Sequence, residues 1–201
     1  MDATSPISGL RNVHETQRLV PYVGSLWARR GYIWFVAVNE LRSRQMTSIL
    51  GNLWHLLNPA LQIAIYFFIF GVFLDDVNRG VDNYILFLTI GVFIFADTQR
   101  ATTAGAAAIV NNRGVLQAVN FPRALLPVTS TITETLATLP SIGVAYGVAI
   151  ATGETFHVRW LLLPGVIGVQ FLFNLGAAMI AARATTHVHD VQQIIPFVFR
   201  I

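Results

Sequence analysis

The sequence predicts an all-α membrane protein: a helical bundle with an amphipathic helix near its N-terminus, four complete spans and a fifth begun. Three observations predict this. Of 201 residues, 54% are hydrophobic and only 11% charged, with mean hydropathy +0.59, which is too apolar for a soluble domain of this length. Four stretches approach or reach the roughly 20 apolar residues that a helix needs to cross about 30 Å of hydrocarbon. Inside those stretches the polar residues recur at helical spacing, so they share faces instead of scattering.

The composition also excludes several function classes. With no cysteine there is no disulfide framework, thiolate nucleophile or zinc knuckle. The net charge is +3, every basic residue is Arg, and no basic stripe points to nucleic acid.

Residues 1–31 read as a flexible cytosolic arm. They include Asp2 and Glu15, lack the apolar core of a cleavable signal, and are interrupted by Pro21 and Gly24. Residues 32–52 follow as an interfacial helix. In GYIWFVAVNELRSRQ, Trp34, Ala37, Val38 and Leu41 fall on one face, with Glu40, Arg42 and Arg44 largely elsewhere, which suits a helix in the headgroup plane. A plain basic flank to the first span is the alternative.

Residues 53–201 form the transmembrane domain. The first span is Leu53 to Leu74, ended by the turn-like DDVNRGVDN. The second starts at Tyr84 and is strongly apolar only to Phe95, so it must continue through ADTQRATTAGAAA; this buries Asp97 and leaves Arg100 to snorkel to the inner surface. The third runs from about Ala124 to Ala151 and the fourth from Trp160 to Ala182, joined by the short loop ATGETFHVR. A fifth begins near Val191 with too few residues left to cross, so the sequence is expected to be incomplete at its C-terminal end.

Arginine counts set the orientation. With the N-terminus inside, the cytosolic pieces hold nine (Arg11, Arg18, Arg29, Arg30, Arg42, Arg44, Arg113, Arg123, Arg183) and the outer loops two (Arg79, Arg159).

Two polar stripes are the candidate functional faces. His55, Asn58 and Gln62 stand at i, i+3 and i+7 in the first span, beside the backbone-breaking Pro59. Unsatisfied polar groups facing acyl chains would cost several kcal/mol each, so this stripe must face other helices or water, as interhelical glue or as a substrate path. In the third span Thr131, Glu134, Thr138 and Ser141 share one side. Glu134 is expected to pair with Arg100 or to be protonated, within a hydrogen-bond knot, a conduit wall or a proton relay. The fourth span is rich in small residues (Gly165, Gly168, Gly176, Ala177, Ala178, Ala181, Ala182), a pattern for close helix approach.

Two connections remain. NNRGVLQAVNFPRALLP offers a short helix, Gly114 to Asn120, whose Val115, Leu116 and Val119 suit a protein partner or the bilayer surface. In ARATTHVHDVQQ, His187, His189 and Asp190 make a weak metal cluster without a third well-placed ligand; Asp190 as a helix start is the better reading.

Three strings in one order carry a family resemblance. ELRSRQMTSILGNLWHLLNPALQ, with Ser48, Leu50, Gly51, Leu53, Trp54, Leu56, Leu57 and Pro59 in an S-x-LG-x-LW-x-LL-x-P pattern, resembles the membrane subunits of ATP-binding-cassette exporters for polysaccharides, of the O-antigen, teichoic-acid and galactan kind. VLQAVNFPRALLPVTS is similar to that family's coupling segment, and HDVQQIIPFVFR to its turn before the fifth span. Gln45 and His189 depart from the family's usual Tyr and Arg.

The resemblance implies a six-span permease that pairs with a copy of itself and with two cytosolic ATPase subunits in a bacterial inner membrane. It implies a lipid-linked polysaccharide as cargo, O-antigen-like or a cell-wall galactan. ATP and magnesium would belong to the partner; this chain lacks a phosphate-cradling G-x-x-x-x-G-K-[ST] loop, so no cofactor and no catalysed bond change are expected. Trp54, His55, Asn58, Gln62, Tyr66, Phe67, Phe70 and Glu134 are then the candidate path residues. Gly114, Val115, Leu116, Val119, Phe121 and Arg123, with Arg42 and Arg44, are candidates for docking the ATPase. An exporter of small lipophilic compounds is the nearest competing reading, and a membrane-bound glycosyltransferase or acyltransferase a more distant one.

Overall fold

The computed structural model describes residues 19–46, 53–69, 83–118, 122–153 and 162–200, and all the regular structure among them is helical. In chain order the helices are α1 (Leu19–Ala28), α2 (Arg30–Met46), α3 (Leu53–Tyr66), α4 (Tyr84–Asn111), α5 (Arg113–Ala118), α6 (Leu125–Ala151), α7 (Leu163–His187) and α8 (Val191–Val198). Helix α1 lies inside the segment read from sequence as an arm. Its Pro21 sits in the first turn, where the missing N–H would have had no helical acceptor.

Helix α4 is the central element, packed along α6 and α7, with α3 and α8 against its flanks and α2 against α6. Its 28 residues run without a break through ADTQRATTAGAAA, so the apolar half does recruit the polar half. Asn83 opens it by accepting the Leu86 amide, while its Nδ2 donates to Thr152 Oγ1 at 2.7 Å and pins the end of α6 beside the start of α4.

Among the described residues, α4 and α7 are long and apolar enough to cross a membrane. Helix α6 is comparable in length, at 27 residues, and threonine-rich in its first half. In the first expected span, residues 53–69 are helical, with a wider π turn at 67–69.

The core is made of small and hydroxyl side chains. Ala37, Ala101, Ala106, Ala149 and Ala178 are fully buried, as are Thr89, Thr131, Thr133 and Thr185. In lipid there is no hydrophobic drive to bring helices together, so close backbone approach and dispersion must do it. The tightest approach is at Gly105 of α4, where an added Cβ would stand 2.4 Å from the Ala178 Cβ and 2.8 Å from its Cα.

The small-residue reading of α7 is thereby corrected in detail. Ala178, Ala181 and Ala182 form the buried stripe, whereas Gly165, Gly168 and Gly176 have open space around them. The outward face of α7, with Val169, Leu172, Phe173 and Ile180, is exposed as a lipid-facing surface requires.

Helix α2 packs through Ile33 and Ala37, which are buried, while Trp34, Phe35 and Tyr32 remain exposed. Of the face expected to meet the headgroup plane, Ala37 is thus turned into the bundle and Trp34 is exposed. The hydroxyl of Tyr22 in α1 accepts the Ala124 amide at 3.1 Å, tying the N-terminal helices to the start of α6.

Replacing Gly105 by Val should separate α4 from α7 and lower the thermal unfolding midpoint of the detergent-purified protein by several degrees. Gly165→Ala, at an open position, should leave the midpoint unchanged; equal effects from the two would refute the close approach.

Candidate functional site: a buried polar network and two cavities

The middle of the bundle is polar. On α4 the Asp97 carboxyl is almost fully buried, at 5% exposure, and each of its oxygens has a donor from a different helix. Thr138 Oγ1 of α6 donates to Oδ1 at 2.6 Å, and Asn174 Nδ2 of α7 donates to Oδ2 at 2.6 Å. The side-chain amide of Gln170, one turn before Asn174, donates to Thr98 Oγ1 at 2.6 Å and to Asn174 Oδ1 at 3.2 Å.

Glu134 is the second buried carboxyl, at 3% exposure on α6. Its partner is Arg44, not Arg100: Arg44 Nη1 donates to Glu134 Oε1 at 2.6 Å and Arg44 Nε to Glu40 Oε1 at 3.2 Å. Burial pushes the Arg44 pKa down, but the charge of Glu134 and the hydrogen bonds to Glu134 and Glu40 outweigh it, and the net shift is upward. Sequence spacing left this pair unseen because it joins α2 to α6 across 90 residues.

Arg100 does not snorkel outward as expected. Its Nη2 donates to Thr138 Oγ1 at 3.2 Å, and its Nε is buried without a partner. The residue as a whole is half-buried.

The hydroxyls of the threonine-rich stretch of α6 are largely satisfied within their own helix. The hydroxyls of Thr129, Ser130, Thr131, Thr133 and Thr135 each donate to the carbonyl four residues earlier in their own helix. This back-bonding satisfies a hydroxyl without an outside partner and lets α2 and α4 pack directly on it. The face Thr131, Glu134, Thr138, Ser141 does turn toward protein, as the spacing predicts.

Two cavities flank the network. One, of 460 Å³, lies between α4, α6 and α7 and is lined mainly by Leu86, Ile90, Phe93, Leu139, Ile142 and Val166, with Asp97, Thr138, Ser141 and Gln170 as its polar part. The other, of 1050 Å³, is more polar and lies among α2, α3, α4, α6 and α8; Arg44, Arg100, Glu134, Gln62, Gln99 and Arg200 are on its wall.

Of the candidate path residues, Gln62, Tyr66 and Glu134 come together on this larger cavity. Trp54 and Phe67 are exposed on α3 and its continuation and are not among its lining. The side chains of His55 and Asn58, and the whole of Phe70, lie outside the described residues.

Of the docking candidates, Gly114, Val115 and Leu116 are in α5, the two-turn helix expected there, although nothing of the Val115 side chain is described; Arg42 and Arg123 are exposed, and Arg44 is turned inward to Glu134. Val119 and Phe121 lie outside the described residues.

In the last connection, His189 Nε2 meets Arg113 of α5, and His187 Nδ1 lies 2.9 Å from the Arg183 carbonyl oxygen. Among the described residues no metal-binding group of side chains forms. Asp190 does precede α8, but its backbone is already helical and its side chain makes no cap; the expected side-chain role is corrected to a backbone one, with the Asp190 carbonyl accepting from Gln193 and Ile194.

Asn174, Gln170 and Asp97 together were not legible as a site. The signal was present: Gln170 and Asn174 stand at i, i+4 in an otherwise apolar span, the pattern of a polar face toward other helices.

Among the described residues, two helices are long and apolar enough to cross a membrane, and polar side chains gather between α4, α6 and α7. No family model matches the chain. Curated relatives do. It is 28% identical over 179 residues to the O-antigen export system permease protein RfbA of Myxococcus xanthus, covering 88% of this chain and 67% of the relative. It is 26% identical over 170 residues to the protein of the same description from Klebsiella pneumoniae, covering 82% and 64%. The chain thus spans about two thirds of the length of these relatives. Homologues over most of the chain are O-antigen export permeases, in agreement with the resemblance carried by the three motifs.

The Arg44–Glu134 pair gives a direct test. Arg44→Ala leaves the Glu134 carboxylate buried without its counter-ion and should destabilise the protein by about 3 kcal/mol. Arg44→Ala combined with Glu134→Gln should recover part of that loss, and Arg42→Ala should cost under about 0.5 kcal/mol, as exposed charges do. Denaturant or thermal unfolding of the wild type, Arg44→Ala, Glu134→Gln, the double variant and Arg42→Ala in one detergent checks it; simple additivity of the two single changes would remove the pair.

Proposed function

We propose that this chain is the membrane-spanning permease subunit of an ATP-driven exporter that moves a lipid-linked polysaccharide, O-antigen-like or a cell-wall galactan, across the bacterial inner membrane. The observation that carries this reading is homology to O-antigen export permeases over 88% of the chain. The larger cavity supports it: a route for a glycan needs hydrogen-bonding and charged walls, and Gln62, Gln99, Glu134 and the arginines supply them beside the aromatic face of Tyr66.

In this reading the working unit is two copies of the chain with two cytosolic ATPase subunits, the N-terminus is cytosolic, and α3, α4, α6 and α7 are the spans, with residues 1–31 as the arm and α2 lying in the interface. The chain makes and breaks no bond; ATP and magnesium act in the partner. Helix α5 is the docking element for the ATPase. It is tied to the turn before α8 through Arg113 and His189, so a displacement of α5 would be felt at the end of α7 and the start of α8.

The smaller cavity, with its mainly apolar wall, is what favours the second reading, an exporter of small lipophilic compounds. The homology weighs against it, because the relatives are described by a polysaccharide.

Deleting the gene and following surface glycan by extraction and gel analysis tests the assignment: glycan should accumulate inside, and restoration by the wild-type chain is expected. Leu116→Asp should abolish copurification of the ATPase and reduce export at least tenfold while leaving the permease in the membrane. Gln62→Ala should slow export several-fold with the ATPase still bound; full export in Gln62→Ala would take that side chain out of the path.

A further inference from the structure

The smaller cavity, of 460 Å³ between α4, α6 and α7, is within the size range of small-molecule sites. Ile90, Leu139 and Val166 on its wall are also exposed, so the space is continuous with the apolar outer surface of the bundle. An occupant would enter sideways, from the hydrocarbon of the bilayer.

The wall is graded from apolar to polar. The start of α4 is tied to the end of α6, so these two helices run in opposite directions. Along α4 the lining passes from Leu86, Ile90 and Phe93 to Asp97, and along α7 from Leu162 and Val166 to Gln170. Along α6 the order reverses, with Thr135, Thr138 and Ser141 before Ala145 and Tyr146. The polar side chains therefore share one end of the cavity.

Two groups at that end are free to bond. Ser141 is 1% exposed, and its hydroxyl has no partner among the described residues. The hydroxyls before it on α6, from Thr129 to Thr138, donate to carbonyls of their own helix, and Ser141 is the exception. One rotation about its Cα–Cβ bond turns that hydroxyl to a new partner. The Gln170 Nδ-type donor group is spent on Thr98 and Asn174, while its Oε1 accepts no bond among the described residues.

This set of groups selects a head group. A hydroxyl can accept from Ser141 and donate to Gln170 Oε1 at once. A carboxylate or phosphate would stand beside Asp97, and no Arg, Lys or His lines the cavity to receive it. An ammonium would have to displace the donors that Thr138 and Asn174 already give to Asp97. A plain alkane would leave Ser141 unpaired and would gain little, since lipid tails are as apolar as the wall.

We propose that this cavity is a binding site for a neutral single-chain amphiphile with a hydroxyl head, a long-chain alcohol in chemical terms. Its hydroxyl lies toward Ser141 and Gln170, and its chain runs between α6 and α7 along Leu139, Ile142 and Val166. The site is independent of the export reading, because it lies on the opposite side of the polar column from the larger cavity.

The test uses the full permease in nanodiscs, with a dodecanol that carries a photoreactive diazirine in its chain as the probe. After irradiation, mass spectrometry of peptides should place the label on α6 around Leu139 to Ala145 and on α7 around Leu162 to Phe171, and labelling should saturate. Unlabelled dodecanol should displace the probe; dodecane and dodecanoate, at equal amounts in the bilayer, should do so several-fold less well.

Ser141→Ala should weaken displacement by dodecanol roughly threefold to tenfold, the worth of a neutral hydrogen bond, and leave displacement by dodecane unchanged. Loss of the alcohol's advantage alone is a change that a purely structural role of Ser141 would not produce. Val166→Trp, which fills the mouth from an exposed position, should abolish saturable labelling and serves if Ser141→Ala does not assemble. Val169→Trp, exposed on the same helix but off the cavity, should label as wild type. Displacement by dodecane as strong as by dodecanol, or wild-type behaviour of Ser141→Ala, would overturn the proposal. So would labelling that does not saturate, or a wild-type permease left unlabelled because another part of its own chain or a bilayer phospholipid fills the space.

Discussion

A carboxyl group placed in the middle of a membrane helix must be satisfied by protein, because the surroundings cannot solvate it. Asp97 meets that constraint by taking one donor from α6 and one from α7. Its position is therefore a three-helix junction, and the other features of the bundle follow from making that junction possible. Thr138 must reach across from α6, so α6 and α4 need small, self-satisfied side chains between them. Asn174 must reach across from α7, so α7 has to approach α4 to the distance that Gly105 and Ala178 allow. Polar specificity and small-residue packing are two halves of one solution. A hydrogen bond between helices fixes rotation and register, and dispersion between the closely approached backbones supplies contact that apolar side chains in lipid would not.

The second buried carboxyl extends the same logic outward. Glu134 lies one helical turn before Thr138, whose hydroxyl is shared between the Glu134 carbonyl and the Asp97 carboxyl, so the two carboxyl groups belong to one polar column between α6 and α4. The positive charge for Glu134 is borrowed from α2, a helix outside the spans. That choice anchors the N-terminal helix to the bundle through Ile33, Ala37 and Arg44 together, while Arg100 is balanced at longer range by the charges of Asp97 and Glu134.

Much of the fold was legible in the sequence because it is governed by length and periodicity. The start of α4, the polar continuation of α4, the inward face of α6 and the two-turn helix α5 all follow from apolar run length or helical spacing. Relations across the chain were not legible. The stripe Thr131, Glu134, Thr138, Ser141 announces that it faces protein, but spacing cannot say that Arg44 rather than Arg100 reaches Glu134. Likewise Gly105 is one unremarked glycine in a run of alanines, and only its distance to Ala178 distinguishes it from Gly165. The back-bonded hydroxyls of α6 show the limit of reading residue type as chemistry: a threonine whose hydroxyl is already given to its own helix is, to its neighbours, close to valine in shape and polarity.

The two cavities differ in a way that bears on what the bundle transports. Both touch the polar column from opposite sides; the smaller meets it at Asp97, Thr138 and Gln170, whose bonds are made to one another or to Thr98 and Asn174, and at Ser141, whose hydroxyl has no partner among the described residues. The larger meets it at Arg100 and at the Arg44–Glu134 pair, with Gln62, Gln99 and Arg200 completing the wall. Satisfied groups offer a passing molecule little, since binding would have to break existing bonds for equivalent ones. Unsatisfied donors and partly exposed charges offer interactions that cost nothing to free. By that criterion the larger cavity is suited to a polar or charged cargo, and the smaller to being filled by apolar side chains or lipid tails. On the proposed reading, the asymmetry created by Asp97 on one side and Arg100 on the other separates the face of α4 that holds the bundle together from the face that meets what it carries.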